Sequence, residues 1–194
     1  MVDVDTTGVV LAAGAGTRYG MPKILVPAWL DRAVTALRDG GCAPVAVVTG
    51  AARPPLPDDT EEIHCPDWER GIGASLRAAL IALQPWPQRL VVHVVDCPDI
   101  GRAVVRRVLD DVGEDLGRSV FDGRPGHPVV LPRRHLAPLL AELADDDGAG
   151  RYLRAHTHTT VECGDLATGA DIDVAPPPTT AATPAGDLME GSDL

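Results

Sequence analysis

Glycines at 14, 16 and 20 and cations at Arg18 and Lys23 follow directly on an apolar run, residues 8–13, within the stretch VVLAAGAGTRYGMPKIL. That combination suits an oligophosphate. Glycine lets the backbone turn sharply and bring its N–H dipoles close to an anion, while a guanidinium and an ammonium neutralise charge that dipoles cannot. A second centre begins at Asp96, which closes the run RLVVHVV ahead of Cys97-Pro98-Asp99. A hard carboxylate just past the carboxyl end of a buried parallel strand stands at the ligand crevice, and it is what Mg²⁺ takes beside phosphate oxygens. Asp99 reads instead as the cap of a helix beginning near Gly101. Gly71 and Gly73 precede Ser75 near another helix start, where backbone donors face outward, although glycine followed by serine is also an ordinary helix opening.

Two other phosphate loops fail on the residues. A dinucleotide fingerprint needs glycine where the chain has Tyr19, and an acid at the end of the second strand, where it has Val47-Val48-Thr49-Gly50. A P-loop needs Gly-Lys-Ser/Thr, which occurs nowhere in the chain. His156 and His158, two apart on one face of an expected strand, lack a third ligand for a metal. His93, inside an apolar strand, reads as a hydrogen-bonded core histidine.

The elements that must position these groups alternate in type. Strands are expected at 8–13, 45–49, 62–65, 89–95, 119–121 and 127–131. Helices are expected at 28–39, with Pro27 in its first turn, from Ser75 to about Leu83, and at 101–112 and 133–144. Gly40-Gly41 stops the first helix, 50–60 is a proline-rich loop, and 122–126 is a turn. The pattern predicts a three-layer α/β/α, Rossmann-like sheet, mostly parallel, with an antiparallel member among the strands near His127 and Val161. Residues 1–174 form the expected domain. Residues 175–194 form a Pro/Thr/Ala-rich linker and tail with too few apolar groups at 175–183 to pack.

Composition narrows the function. Of 194 residues, 45% are hydrophobic but only 3% aromatic, so the core is built from Val, Leu, Ile and Ala, as under a parallel sheet. Twenty-eight acidic residues against 17 basic ones give a net charge of −11, which repels a nucleic-acid backbone and excludes that partner. Cys42, Cys65, Cys97 and Cys163 stand far apart and read as free thiols. The opening MVDVDTTG lacks the basic residues of a signal peptide and no apolar run approaches 18 residues, so a soluble cytoplasmic protein with no membrane partner is expected.

Leu11 to Lys23 resembles the signature loop LAAGxGxRxGxxK of the MobA-like NTP transferases, nucleotidyltransferases with a molybdopterin-guanylyltransferase-like fold of the nucleotide-diphospho-sugar transferase type. The resemblance implies that Leu11, Ala12, Ala13, Gly14, Gly16, Arg18 and Lys23 hold an NTP. Trp68, Gly71, Ser75 and Leu76 match the family's W-x-x-G-[MI]-x-x-S-L, which helps hold the nucleotide. Asp96-Cys97-Pro98 resembles its D-x-P motif, whose aspartate holds the catalytic Mg²⁺. Asp171-Ile172-Asp173 resembles D-[IV]-D-T-P and makes Asp173 a second metal ligand, with Asp171 behind it; Val174 stands where the family has Thr. A short glycine hairpin usual after the lysine is missing, since VPAWL runs straight on.

The string GRPGHPVVL resembles the G-x-x-G-H-P-V element of the branch that makes the cytidine form of molybdenum cofactor, which places His127 near the acceptor phosphate. At 145–150 the family's G-D-x-G-A-R is matched by Asp146, Gly148 and Ala149, while Asp145 and Gly150 replace the glycine and arginine; Arg151 is the expected substitute for that arginine toward the acceptor, and Asp145 and Asp147 are a solvated helix start. The implied activity is transfer of an NMP from an NTP, CTP favoured, to a phosphorylated small acceptor, molybdenum-molybdopterin, releasing pyrophosphate, with Arg18, Lys23 and Asp96 catalytic and a molybdoenzyme as client. The alternatives are another small-acceptor nucleotidyltransferase of the phospholactate guanylyltransferase type, or a non-catalytic nucleotide-sensing or cofactor-chaperoning module.

Overall fold

Seven strands and five α-helices are built from these runs in a computed structural model that describes residues 5–175. The expected linker and tail, beyond Ala175, lie outside the described residues. Strand β1 (Thr6–Leu11) is buried at every position and lies between β2 (Val45–Thr49) and β4 (Arg89–Val94), both parallel to it. Such continuous burial explains why these runs are aliphatic rather than alternating. With β3 (Thr60–His64), β5 (Gly117–Phe121), β6 (Arg124–Pro132) and β7 (Thr159–Glu162), the order across the sheet is β3-β2-β1-β4-β6-β5-β7. Strand β6, which carries His127, pairs antiparallel with both β4 and β5 and is the antiparallel member.

Helices α1 (Trp29–Gly40) and α3 (Arg102–Val112) pack on each other against one face, and α2 (Ile72–Ala82) and α4 (Arg133–Glu142) meet on the opposite side. Three layers result. The core is aliphatic, as composition predicts: Val9, Leu37, Val47, Val91, Val105 and Val130 have essentially no exposure. Among the described residues no helix is long and apolar enough to cross a membrane.

Several local expectations change. Pro27 does not begin α1: Ala28, at φ 66°, turns the chain first, and the helix opens at Trp29. The β5–β6 turn contracts to Asp122-Gly123, both at positive φ (50° and 73°), as a two-residue hairpin of type I′ requires; Arg124, Pro125 and Gly126 therefore enter β6. Between the pairs Arg118↔Val129 and Val120↔Pro125 the register slips, so β6 bulges around His127. A short helix, α5 (Gly150–Ala155), precedes β7, and His156 and His158 lie between the two rather than on a strand face. Each turns its Nδ1 to a backbone carbonyl, of Tyr152 and His156 respectively. Asp99 does not cap α3. Gly101 is the cap residue, and the Asp99 carboxylate accepts from Thr168 N–H (2.7 Å) and Oγ1 (2.6 Å).

Candidate active site

At the carboxyl ends of β1 and β4 the sheet opens into a cavity of about 310 Å³. One wall is the stretch after β1: Leu11, Ala12, Ala13, Gly14, Gly16 and Arg18 all line it. Leu11 to Ala13 are buried and anchored, since Ala12 N–H donates to Val48 O and Ala51 N–H to Ala13 O. Beyond them the chain leaves the sheet. Gly20 N–H closes back on Gly16 O at 2.8 Å, while among the described residues the amides of 14–19 have no protein acceptor and so are open to a ligand. Gly16 is needed twice over: its φ is +60°, and a Cβ there would lie 2.0 Å from Met21 O. This close approach folds the loop onto the segment that delivers Lys23, at the start of a single 3₁₀ turn (Lys23–Leu25).

Lys23 is the hub of the site. Its Nζ donates to Asp96 Oδ2 at 2.9 Å and to Asp173 Oδ1 at 2.8 Å, and Arg18 reaches the other oxygen of Asp173 at 2.8 Å. Burial works against the Lys23 charge, but bonds to Asp173 and Asp96 outweigh it and hold the ammonium above its ordinary range. Lys23, followed by Arg18, holds the Asp173 carboxyl below the usual range. Asp173 arrives from far along the chain. After β7 a strap crosses the end of β4, held by Thr168 on Asp99 and by Ile172 N–H on Asp96 O (3.0 Å). Both carboxylates thus lie within reach of one cation. Two hard oxygen donors could hold an ion such as Mg²⁺ only if water and phosphate oxygens filled its remaining positions, since no group of three His, Cys, Asp or Glu suited to a metal occurs among the described residues.

The opposite wall holds Trp68, Gly71, Ile72 and Ser75. Here the glycines do a different job from the one their spacing suggests. Gly73 N–H and Ala74 N–H both donate to Asp145 O (2.8 and 3.3 Å), so these helix-start amides face protein and not the cavity. A Cβ on Gly73 would meet Ala144 O at 1.8 Å, and one on Gly71 would meet Asp145 O at 2.5 Å. The segment at 144–146 therefore rests on the start of α2. Asp145 is no solvated helix start: its carboxylate pairs with Arg70, and with Arg77 at 3.7 Å. Ser75 is buried beside the Cys65 thiol, and burial raises the pKa of that thiol against the opposing effects of the Asp67 backbone and then Ser75.

Two expected acceptor groups lie outside this cavity's lining. His127 sits in the β6 bulge, half-buried, with Nδ1 3.3 Å from Val92 O. A carbonyl accepts, so that nitrogen carries the proton and Nε2 keeps its lone pair. Burial pushes this histidine below its ordinary range. Arg151 is exposed on α5 beside Leu143, Asp147 and Tyr152 and is not brought to the cavity. Tyr19 and Ile72 line the cavity without having been singled out. Ile72 had a signal, the variable apolar position of the W-x-x-G element; Tyr19, which packs on Trp29 with centroids 5.4 Å apart, had none.

Comparison with known proteins agrees with this geometry. Residues 8–160 match the MobA-like NTP transferase domain. The chain is 32% identical over 199 residues to the nicotine blue oxidoreductase of Paenarthrobacter nicotinovorans, covering 89% of this chain and 96% of that one. It superposes on Rv0371c of Mycobacterium tuberculosis with a TM-score of 0.70 and 30% identity, covering 90% and 95% of the two chains. A complex of Rv0371c with manganese matches at 28% identity and a TM-score of 0.64, covering 82% and 88%.

Proposed function

This chain belongs to the MobA-like NTP transferase family, and from that membership and the geometry of the cavity we propose that it moves a nucleoside monophosphate from CTP to the phosphate of molybdenum-molybdopterin, releasing pyrophosphate. The observation that carries the proposal is the meeting of Lys23, Arg18, Asp96 and Asp173 at the foot of a loop with unbonded amides. In the reaction the acceptor phosphate attacks the α-phosphorus in line, so the protein needs no side-chain nucleophile and acts by position and charge. The 14–19 amides, Arg18 and Lys23 bind and orient the triphosphate. Asp96 and Asp173 would hold a divalent cation, Mg²⁺, which neutralises charge developing on the phosphates. The complex of M. tuberculosis Rv0371c with manganese supports the use of a divalent ion. His127, whose place near the acceptor phosphate rests on the GHP element alone, keeps an Nε2 lone pair in the β6 bulge. CTP and molybdenum-molybdopterin rest on the LAAG opening and the GHP element.

The 32% identical relative carries a second reading, an oxidoreductase on the same frame. Melting temperature against CTP, GTP, ATP, UTP, NADH and NADPH, with and without Mg²⁺, on the wild type and Asp96→Asn, separates the two. A ligand at 100 times its dissociation constant stabilises by about 2.7 kcal/mol. CTP with Mg²⁺ is expected to shift the wild type and to lose most of that shift in Asp96→Asn, with repeated pyrophosphate release on adding acceptor. A shift by NADH or NADPH alone would move the oxidoreductase reading ahead, and binding without turnover would leave a sensor or chaperone.

A further inference from the structure

Lys23 and Arg18 pair with Asp96 and Asp173, so in the structure described the two carboxylates that would hold a divalent ion are engaged by cations of the protein itself. The arrangement is tight at Lys23, whose side chain is only 12% exposed, against 25% for Asp96 and 35% for Asp173. It is loose at Arg18, 78% exposed. A triphosphate in the loop calls on the same two cations. An ammonium has three N–H donors and two are held here by Asp96 and Asp173, so a triphosphate that takes more than one of them must pull the ammonium off at least one carboxylate.

We propose that Lys23 stands in for the divalent cation. It clamps Asp96 to Asp173 while the loop is empty and releases both carboxylates when a triphosphate draws its ammonium away. Metal and nucleotide then load together, each favouring the other. The clamp also accounts for how the strap past β7 stays seated: Ile172 N–H on Asp96 O places Asp173 over Asp96, and without a cation between them two carboxylates would be forced together there. One positive group thus keeps the site assembled between turnovers, at the expense of metal affinity in the free protein. This rests on the nucleotidyltransferase reading only for the identity of the ligand that draws Lys23 away; exchange between Lys23 and a cation is testable without nucleotide.

The test is Mn²⁺ binding to the full chain with no nucleotide, followed by the electron paramagnetic resonance signal of free Mn²⁺, on wild type, Lys23→Met and Asp96→Asn. Coupling between linked sites commonly amounts to about 5–150-fold in affinity. Lys23→Met is expected to bind Mn²⁺ at least about 5-fold more tightly than wild type, and the double variant with Asp96→Asn to lose that gain. Arg18→Met, which leaves the clamp in place, should tighten Mn²⁺ by less. Should Lys23→Met fail to fold by circular dichroism, Lys23→Gln serves, because it keeps a donor between the carboxylates and removes only the charge. Equal or weaker Mn²⁺ binding in the folded Lys23 variant would overturn the proposal. Repeating the titration with CTP, with Mn²⁺ held by CTP alone subtracted, reads the second half: CTP should tighten Mn²⁺ on wild type by a larger factor than on Lys23→Met. If no NTP changes Mn²⁺ binding to wild type while Lys23→Met still tightens, the exchange stands and the nucleotidyltransferase reading falls.

Discussion

Replacing His93 by leucine should stabilise this protein, and more so in acid than at neutral pH. The ring sits in the middle of β4, opposite Val10 of β1, with no exposure, and neither Nδ1 nor Nε2 has a hydrogen-bond partner. Its sequence reading as a hydrogen-bonded core histidine is therefore wrong. The neighbouring polar ring is His127 on β6, 6.5 Å away between centroids, and its Nδ1 is already turned to Val92 O. An unmet buried polar group costs about 1–3 kcal/mol. Leucine has a similar volume and no polar atom, so His93→Leu is expected to gain about 1 kcal/mol or more at pH 8. Burial, with a smaller contribution from His127, pushes the His93 pKa down to about 3, whereas in the unfolded chain it lies near 6.5. The unfolded state thus takes up a proton that the folded state refuses. Stability is complete above about pH 6.5 and drains away as pH falls from there toward 3; at pH 4 the wild type has lost about 3 kcal/mol through this one group.

The assay is urea unfolding of wild type and His93→Leu at pH 8, 6 and 4. Carboxylates titrate in both proteins and cancel in the difference, so the gap between the two curves reads His93 together with its smaller coupling to His127. It should widen by about 3 kcal/mol from pH 8 to pH 4. A gap that does not change with pH would refute the buried neutral imidazole. A variant less stable than wild type at pH 8 by more than about 1 kcal/mol would mean that the ring has a partner whose loss is being felt.

Two glycines and one carboxylate give sharper local tests. Gly16→Ala places a Cβ 2.0 Å from Met21 O at a φ of +60°; a loss of about 1–3 kcal/mol in urea unfolding is expected, with a larger proportional loss of CTP binding, and an unchanged midpoint with a normal CTP shift would refute the folded-over loop. Gly73→Ala would ordinarily favour a helix by about 1 kcal/mol, but here its Cβ would lie 1.8 Å from Ala144 O, so a net loss of about 1–3 kcal/mol is expected from overpacking. A net gain would show that the 144–146 segment does not press on α2. Asp96→Asn should lose turnover with little change in urea midpoint beyond its share of the Lys23 contact, and unaltered turnover would remove the metal assignment.

What the sequence revealed and what it hid divide along the range of the interactions. The strand preceding the glycine loop, the carboxylate ending the fourth strand and the alternation of elements are local patterns, and the sheet assembles them as read. The Asp122-Gly123 turn was legible as a turn but not in its length, because Arg124, Pro125 and Gly126 carry turn-like chemistry and are drawn into β6 only by pairing with β5. The outward-facing amides expected at Gly73 misled for a related reason, while Gly71 does line the cavity. A glycine before a helix signals free amides when the chain is read alone, and it signals a close neighbour once residues 144–146, far along the chain, are laid against it. The same long contact turned Asp145 from a solvated acid into the partner of Arg70 and Arg77.

Arg151 was placed by counting along a motif in which Gly150 had taken the arginine's position. On a helix one position is a turn of about 100°, so the substitute faces another way. The guanidinium that does lie against Gly150 belongs to Arg154, whose Nη1 would be 3.3 Å from a Cβ there. Arg154 is four residues on and therefore on the same face. A lost side chain in a helical motif is better sought one turn away than one residue away. Arg154 nevertheless pairs with Asp147 at 3.4 Å and, like Arg151, lies outside the lining of the cavity, so neither arginine of α5 is brought to the loop that follows β1.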